Sequence, residues 1–149
     1  MHISNLHIEN YKSIKDLKLK TKRVNIFIGE PNSGKTNIIE AMSLLSFDST
    51  SFFKEIIRFD SVDELFPDSD ISEPIKIFTD NLKFTIEYHK NESGAVMNEF
   101  LCRFYEKDDK KHVFQFDLDF DGKIRNQHGP NFPTNICFYS FKRHKTFNK

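Results

Sequence analysis

The stretch Gly29-Glu30-Pro31-Asn32-Ser33-Gly34-Lys35-Thr36 carries residue types at a spacing that does chemistry. It fits Gly-x-x-x-x-Gly-Lys-Ser/Thr at every fixed position, the pattern of a loop whose backbone N–H groups surround a phosphate. Gly29 and Gly34 permit backbone angles and a close approach that a Cβ would block. The amides running from Asn32 through Ser33 to Thr36 are placed to ring a β-phosphate. Lys35 supplies a point charge between β- and γ-phosphates, and the Thr36 hydroxyl is a ligand for Mg²⁺. Glu30, Pro31 and Asn37 complete the contact stretch.

Such a loop works only if a strand and a helix hold it. Val24-Asn25-Ile26-Phe27-Ile28 ahead of it is apolar and β-branched, which predicts a buried strand. Behind it, Asn37 to Leu45 places Ile38, Met42 and Leu45 at helical spacing. The expected product is a helix N-terminus aimed at an anion. Two more strands come first. Ile3 to Tyr11 puts Leu6 and Ile8 on one face, Lys12-Ser13 interrupts, and Ile14 to Lys20 alternates with its lysines outward. Thr21-Lys22-Arg23 then turns the chain into the loop strand.

The runs ISNLHIENYKSIKDLKLK and VNIFIGEPNSGKTNIIEAMSLL together resemble the start of the RecF/SMC/OLD-like P-loop ATPases, the ABC-head type. Those proteins open with a strand ending in Asn-Phe/Tyr-Lys-Ser, then a second strand, a Walker A loop and an Ile/Leu-Glu-Ala helix. Asn10-Tyr11-Lys12-Ser13, Asn32, Ser33-Gly34-Lys35-Thr36-Asn37 and Glu40-Ala41 fill those places. Pro31 departs from the commoner residue but suits a tight turn. The resemblance is close over residues 1–46 and holds only in outline beyond. It implies an α/β P-loop core with an adjoining antiparallel β layer, an incomplete ABC-type head. It also implies ATP with Mg²⁺ as ligand, Tyr11, Lys12 and Ser13 near the base or α-phosphate, a second head as partner, and DNA by family analogy alone.

The remainder reads as one lobe in three further parts. Residues 47–74 form a helical and acidic connector: Phe52, Phe53, Ile56 and Ile57 share a helical face, Ser61 to Phe66 adds a turn ended by Pro67, and Asp68 to Pro74 is a solvated loop. Residues 75–141 form a meander. Its expected strands are Ile75–Phe78, Lys83–Tyr88, Glu99–Tyr105, Val113–Phe116 and Ile136–Phe141, with turns at Asp80-Asn81, Asn91 to Gly94, Lys107 to Lys110 and Asp121-Gly122. Asn126 to Thr134 is expected to be a loop, and residues 142–149 a basic tail. Asp117, Asp119 and Asp121 share a strand face without a fourth ligand, so a solvated hairpin edge is the simpler reading.

Composition adds boundaries. The 22 basic and 22 acidic residues cancel, which removes any global electrostatic claim on nucleic acid or membrane. Locally, residues 1–26 hold six Lys/Arg against two acids, and residues 48–74 hold eight acids against two bases. Seventeen Phe and no Trp point to β-rich packing. Cys102 and Cys137 sit in apolar runs without metal-ligand spacing and read as reduced core thiols. No run reaches the length of a membrane helix and no signal-peptide order opens the chain, so the expected location is the cytoplasm.

Hydrolysis requires more than a cradle. A Walker B strand, four apolar residues and then Asp-Glu, is absent: Ile77-Phe78-Thr79-Asp80 runs into Asn81, and Phe114-Gln115-Phe116-Asp117 alternates. Glu92-Ser93-Gly94-Ala95 reads as a turn rather than a signature motif, and Gln127 is a weak Q-loop candidate. The expectation is therefore the N-terminal portion of a larger ATPase, or a truncated product, that binds ATP and does not hydrolyse it alone. Two alternatives stand beside it: a P-loop kinase or GTPase, disfavoured by the two leading strands and the lack of Asn-Lys-x-Asp, and a non-catalytic remnant that serves as a binding module.

Overall fold

The computed structural model describes residues 3–46, 57–90, 99–106 and 112–129. Among the described residues, seven strands form one sheet: β1 (Asn5–Tyr11), β2 (Ile14–Lys20), β3 (Ile75–Phe78), β4 (Leu82–His89), β5 (Glu99–Glu106), β6 (His112–Leu118) and β7 (Ile124–His128). Their order is β2-β1-β3-β4-β5-β6-β7, and every neighbouring pair is antiparallel. The described residues also hold one helix, α1 (Lys35–Ser43), which runs into a 3-10 turn at Leu44–Ser46, and two more 3-10 turns at Val62–Leu65 and Pro67–Ser69.

Strand period and register together make the core. Because side chains alternate, a register that aligns apolar positions on one face builds a continuous row. Leu17 pairs with Ile8, Ile8 with Ile77, Ile77 with Phe84, Phe84 with Phe104 and Phe104 with Phe114, so one row crosses six strands. The Phe84 and Phe104 rings lie 4.5 Å apart at 40°, a tilted contact favoured by the ring quadrupoles. A one-residue slip in any pairing would turn this row to solvent. On the same core, α1 and its 3-10 extension bury Ala41, Leu44 and Leu45, with Ile38 and Met42 packed at the margin. The connector contributes Ile57, Phe59, Val62, Leu65 and Phe66.

The connector is tied at both sides. Lys12 N–H in the β1–β2 turn donates to Leu65 O at 2.8 Å, and Val62 N–H donates to Phe120 O at 2.9 Å beside the β6–β7 hairpin. Asn10 and Lys12 carry φ of 61° and 48°, and the Asn10 side chain donates to Glu73 O, fixing this turn to the end of the acidic loop. That loop is solvated at Asp68, Ser69 and Asp70, as expected.

Two expectations need correction. Val24 to Ile28 is not a buried strand: it has no ladder partner among the described residues, and Val24, Ile26 and Ile28 are 75%, 79% and 90% exposed. Its composition suits burial, but a strand exists only as half of a ladder, and no described strand lies alongside. Asn126 to His128 is not loop but the end of β7, paired with β6 through Gln115–His128 and Phe116–Gln127. Pairing makes it a strand, since its own residues are polar and mostly exposed. The expected helical face at Phe52, Phe53 and Ile56, the turns at Asn91–Gly94 and Lys107–Lys110, the strand at Ile136–Phe141, Cys137 and the basic tail lie outside the described residues. Cys102 is buried and free, as read from its apolar run.

Candidate functional site

The phosphate-type loop is built by local turn chemistry. Ser33 N–H donates to Glu30 O at 3.3 Å, closing a turn with Pro31 second and Asn32 third at φ 61°. Proline presets the second position of a tight turn, and asparagine tolerates the left-handed third, so Pro31 is accommodated without strain. Gly34 follows at φ 83° as the residue that opens α1. A Cβ there would sit 3.0 Å from Ser13 Oγ, so this position requires glycine for both angle and space.

Lys35 folds back into its own loop. Its ammonium donates to Gly29 O at 2.9 Å, to Ser33 Oγ at 2.9 Å and to Glu30 O. The next turn of the helix closes normally, with Asn37 N–H on Gly34 O at 3.0 Å, while the Asn37 side chain donates to Ser13 Oγ at 2.8 Å. Ser13, Asn32, Ser33, Gly34, Lys35, Thr36, Asn37 and Arg58 line a cleft of about 310 Å³. This lining carries two cations and no carboxylate, and α1 has no acidic residue in its first turn, so the helix N-terminus is uncompensated. Ser13, Ser33 and Gly34 also border a second cleft against Ile14, Leu17 and Ile38.

The structure thus brings Ser13, Asn32, Ser33, Gly34, Lys35, Thr36 and Asn37 together as expected. Gly29, Glu30 and Pro31 form the base of the loop and hold Lys35 or its turn. Tyr11 and Lys12 go elsewhere. Tyr11 is wholly buried, and Lys12 Nζ pairs with Glu40 Oε2 at 2.5 Å, so neither lines the cleft. The Tyr11 hydroxyl meets no hydrogen-bond partner among the described residues. Burial, and then the neighbouring Glu40 carboxylate, holds it far above the ordinary phenol range. A buried hydroxyl without a partner is a net cost, so Tyr11→Phe should raise the free energy of unfolding by roughly 1 kcal/mol in a urea titration. A fall instead would show that the hydroxyl is satisfied.

Arg58 and Glu40 are the residues that sequence reasoning missed. Arg58 follows Ile57 in the connector and reaches the loop cleft, with its Nε on Glu40 Oε1 at 3.0 Å. The signals available were a lone arginine inside an acidic stretch and, for Glu40, its place in the Glu-Ala match of the helix, which names no partner. The three aspartates are not one solvated hairpin edge, because Asp117 lies on β6 between β5 and β7 and is 5% exposed, and only Asp121 is open to solvent. Asp117 accepts from Gln115 and Asn126, Asp119 pairs with Arg125, and no group of three His, Cys, Asp or Glu among the described residues is arranged for a metal. Thr36, exposed at the start of α1, brings a hydroxyl to the cleft beside the side-chain oxygens of Ser13, Asn32, Ser33 and Asn37, and none of these is a carboxylate. No helix among the described residues is long and apolar enough to cross a membrane.

Several known proteins are similar to parts of this chain. The DNA replication and repair protein RecF of Bacillus cytotoxicus is 41% identical over 64 residues, covering 40% of this chain and 17% of that protein. RecF of Rickettsia bellii is 54% identical over 43 residues, covering 28% of this chain and 12% of its own length. The chain therefore spans less than a fifth of the curated relatives it matches. A solved structure from work on ATP-driven dimerization and DNA stimulated activation of SMC ATPases is 18% identical, covers 85% of this chain and 73% of that one, and has a TM-score of 0.40. Residues 1–148 match the AAA ATPase domain over nearly the whole sequence, and the chain belongs to that family.

Proposed function

We propose that this chain binds ATP with Mg²⁺ through the Gly29–Thr36 loop, as the N-terminal lobe of a RecF/SMC/OLD-like head. The observation that carries this reading is the cleft itself: the loop residues Asn32 to Gly34, the start of α1, Lys35 and Arg58 line it, and no carboxylate is among the lining residues. A triphosphate is the ligand this arrangement suits, with Lys35 exchanging its loop oxygens for phosphate oxygens and Thr36 contributing one metal ligand. Bound Mg²⁺ would supply charge neutralisation between the phosphates. The described lining holds no carboxylate to act as a general base, so turnover is expected to need an acid from another surface.

A second observation favours a lobe over a self-contained unit. Val24, Ile26 and Ile28 directly precede the loop and stand exposed, as an apolar strand would before its neighbour arrives. A role beside DNA in repair rests on the likeness to the DNA replication and repair protein RecF, and phage defence and a cytoplasmic location rest on the family resemblance alone.

Calorimetric titration of MgATP and MgGTP into the wild type and Lys35→Ala tests the reading. The wild type should bind ATP, and the variant should bind it roughly 10–100-fold more weakly, the effect of one charge-assisted contact. Equal affinity for both proteins would overturn the site. A tenfold preference for GTP would replace this reading with the GTPase alternative.

A further inference from the structure

Glu40 is a charged side chain that the phosphate contacts leave unused. It lies on α1 one turn beyond Thr36, is 4% exposed, and divides its carboxylate between two cations. Oε2 accepts from Lys12 Nζ at 2.5 Å, and Oε1 accepts from Arg58 Nε at 3.0 Å. Lys12 Nζ closes the ring by donating to Arg58 O at 2.7 Å. The helix that carries the loop, the β1–β2 turn and the connector are thereby joined at one buried carboxylate.

Arg58 has no such anchorage of its own. Its side chain is 77% exposed while it lines the cleft. A long side chain that exposed samples many rotamers unless something fixes it, and the guanidinium is useful to a phosphate only when its plane is set. A bond at Nε does that, because it holds the inner edge of the fork and directs the outer edge away from Glu40. The buried position of Glu40 matters too, since it fixes the acceptor end of the pair while the arginine remains open to the cleft.

We propose that Glu40 is a positioning residue that aims Arg58 at the phosphate cleft, with Lys12 holding the backbone of the same arginine. This rests on the reading of the cleft as a nucleotide phosphate site. Glu40 touches no ligand atom in this scheme; it acts through Arg58, and the helix that presents Lys35 and Thr36 also sets the second cation.

MgATP affinity of the wild type, Glu40→Gln, Arg58→Ala and the double variant decides between this role and simple pinning of the helix. If Glu40 acts through Arg58, each single change weakens binding roughly 5–20-fold, and the double variant binds no more weakly than Arg58→Ala. Wild-type affinity in Glu40→Gln, or losses that multiply in the double variant, would overturn the proposal. Arg58→Lys covers the case in which Glu40→Gln does not fold, because the exposed side chain can change without disturbing the core. Lysine keeps the charge but lacks the Nε hold, so it should lose as much affinity as alanine. Wild-type binding by Arg58→Lys would overturn the proposal. Lys35→Ala, measured alongside, separates the two levels. If it also binds as the wild type does, the phosphate reading fails; if it alone loses affinity, only the role of Glu40 fails.

Discussion

Gly122→Ala should lower the free energy of unfolding by roughly 2–4 kcal/mol. Two costs combine. Gly122 sits at φ 75°, where any Cβ is strained, and that Cβ would lie 2.6 Å from Phe59 Cζ, with Val62 also in contact. The ring cannot simply step aside. Phe59 is 8% exposed in the packed connector, and the next turn is tied to the hairpin by Val62 N–H on Phe120 O. A urea titration reads the loss, and a change under 1 kcal/mol would mean that the hairpin and connector slide freely. Phe59 is the immediate neighbour of Arg58, so the hairpin that Gly122 turns also supports the segment bearing the second cation of the cleft.

Alkaline pH should destabilise the chain steeply, beginning near pH 9. Burial, reinforced by Asp117, pushes the Cys102 thiol well above its ordinary value of 9.0, and burial beside Glu40 raises the Tyr11 phenol above 10.0. The unfolded chain releases these protons near the ordinary values, whereas the folded chain keeps them. Above pH 9 the unfolded state therefore binds fewer protons, and rising pH favours it. Stability is whole below that point. It should then fall by about 1.4 kcal/mol per pH unit for the thiol, and by about 2.7 once the phenol joins above pH 10. Urea titrations from pH 8 to 11 give the slope. Cys102→Ala should flatten its first part and Tyr11→Phe its second, whatever each does to stability at neutral pH. Unchanged slopes in both variants would refute the linkage.

The strands and the loop were legible because their signals are local. Leu6 and Ile8 alternate within β1, Phe84 and Ile86 within β4, and the loop pattern names its own residues at fixed spacing. The ring around Glu40 was hidden because its contacts span 28 and 18 residues, and no periodicity couples positions so far apart. Lys12 and Tyr11 match the family motif, yet their side chains serve the interior, since a β-turn with φ 48° at Lys12 sends its side chain across to α1. β7 escaped notice for the opposite reason. Ile124 to His128 lacks a buried alternation and is a strand only because β6 pairs with it. Val24 to Ile28 shows the same dependence reversed, with the composition of a strand and no ladder partner among the described residues.

That uncovered stretch bears on how the chain behaves in concentrated solution. Val24, Ile26 and Ile28 set three exposed apolar side chains close together, a surface that favours self-association, and the chain has no net charge to keep copies apart. What stands guard is local: Lys20, Lys22 and Arg23 lie immediately ahead of the stretch, all exposed, and like charges repel when two such stretches approach. Salt at about 0.1 M shortens that repulsion to roughly 10 Å. The chain is accordingly best kept soluble at low ionic strength, the reverse of usual practice for a protein whose surface charges balance.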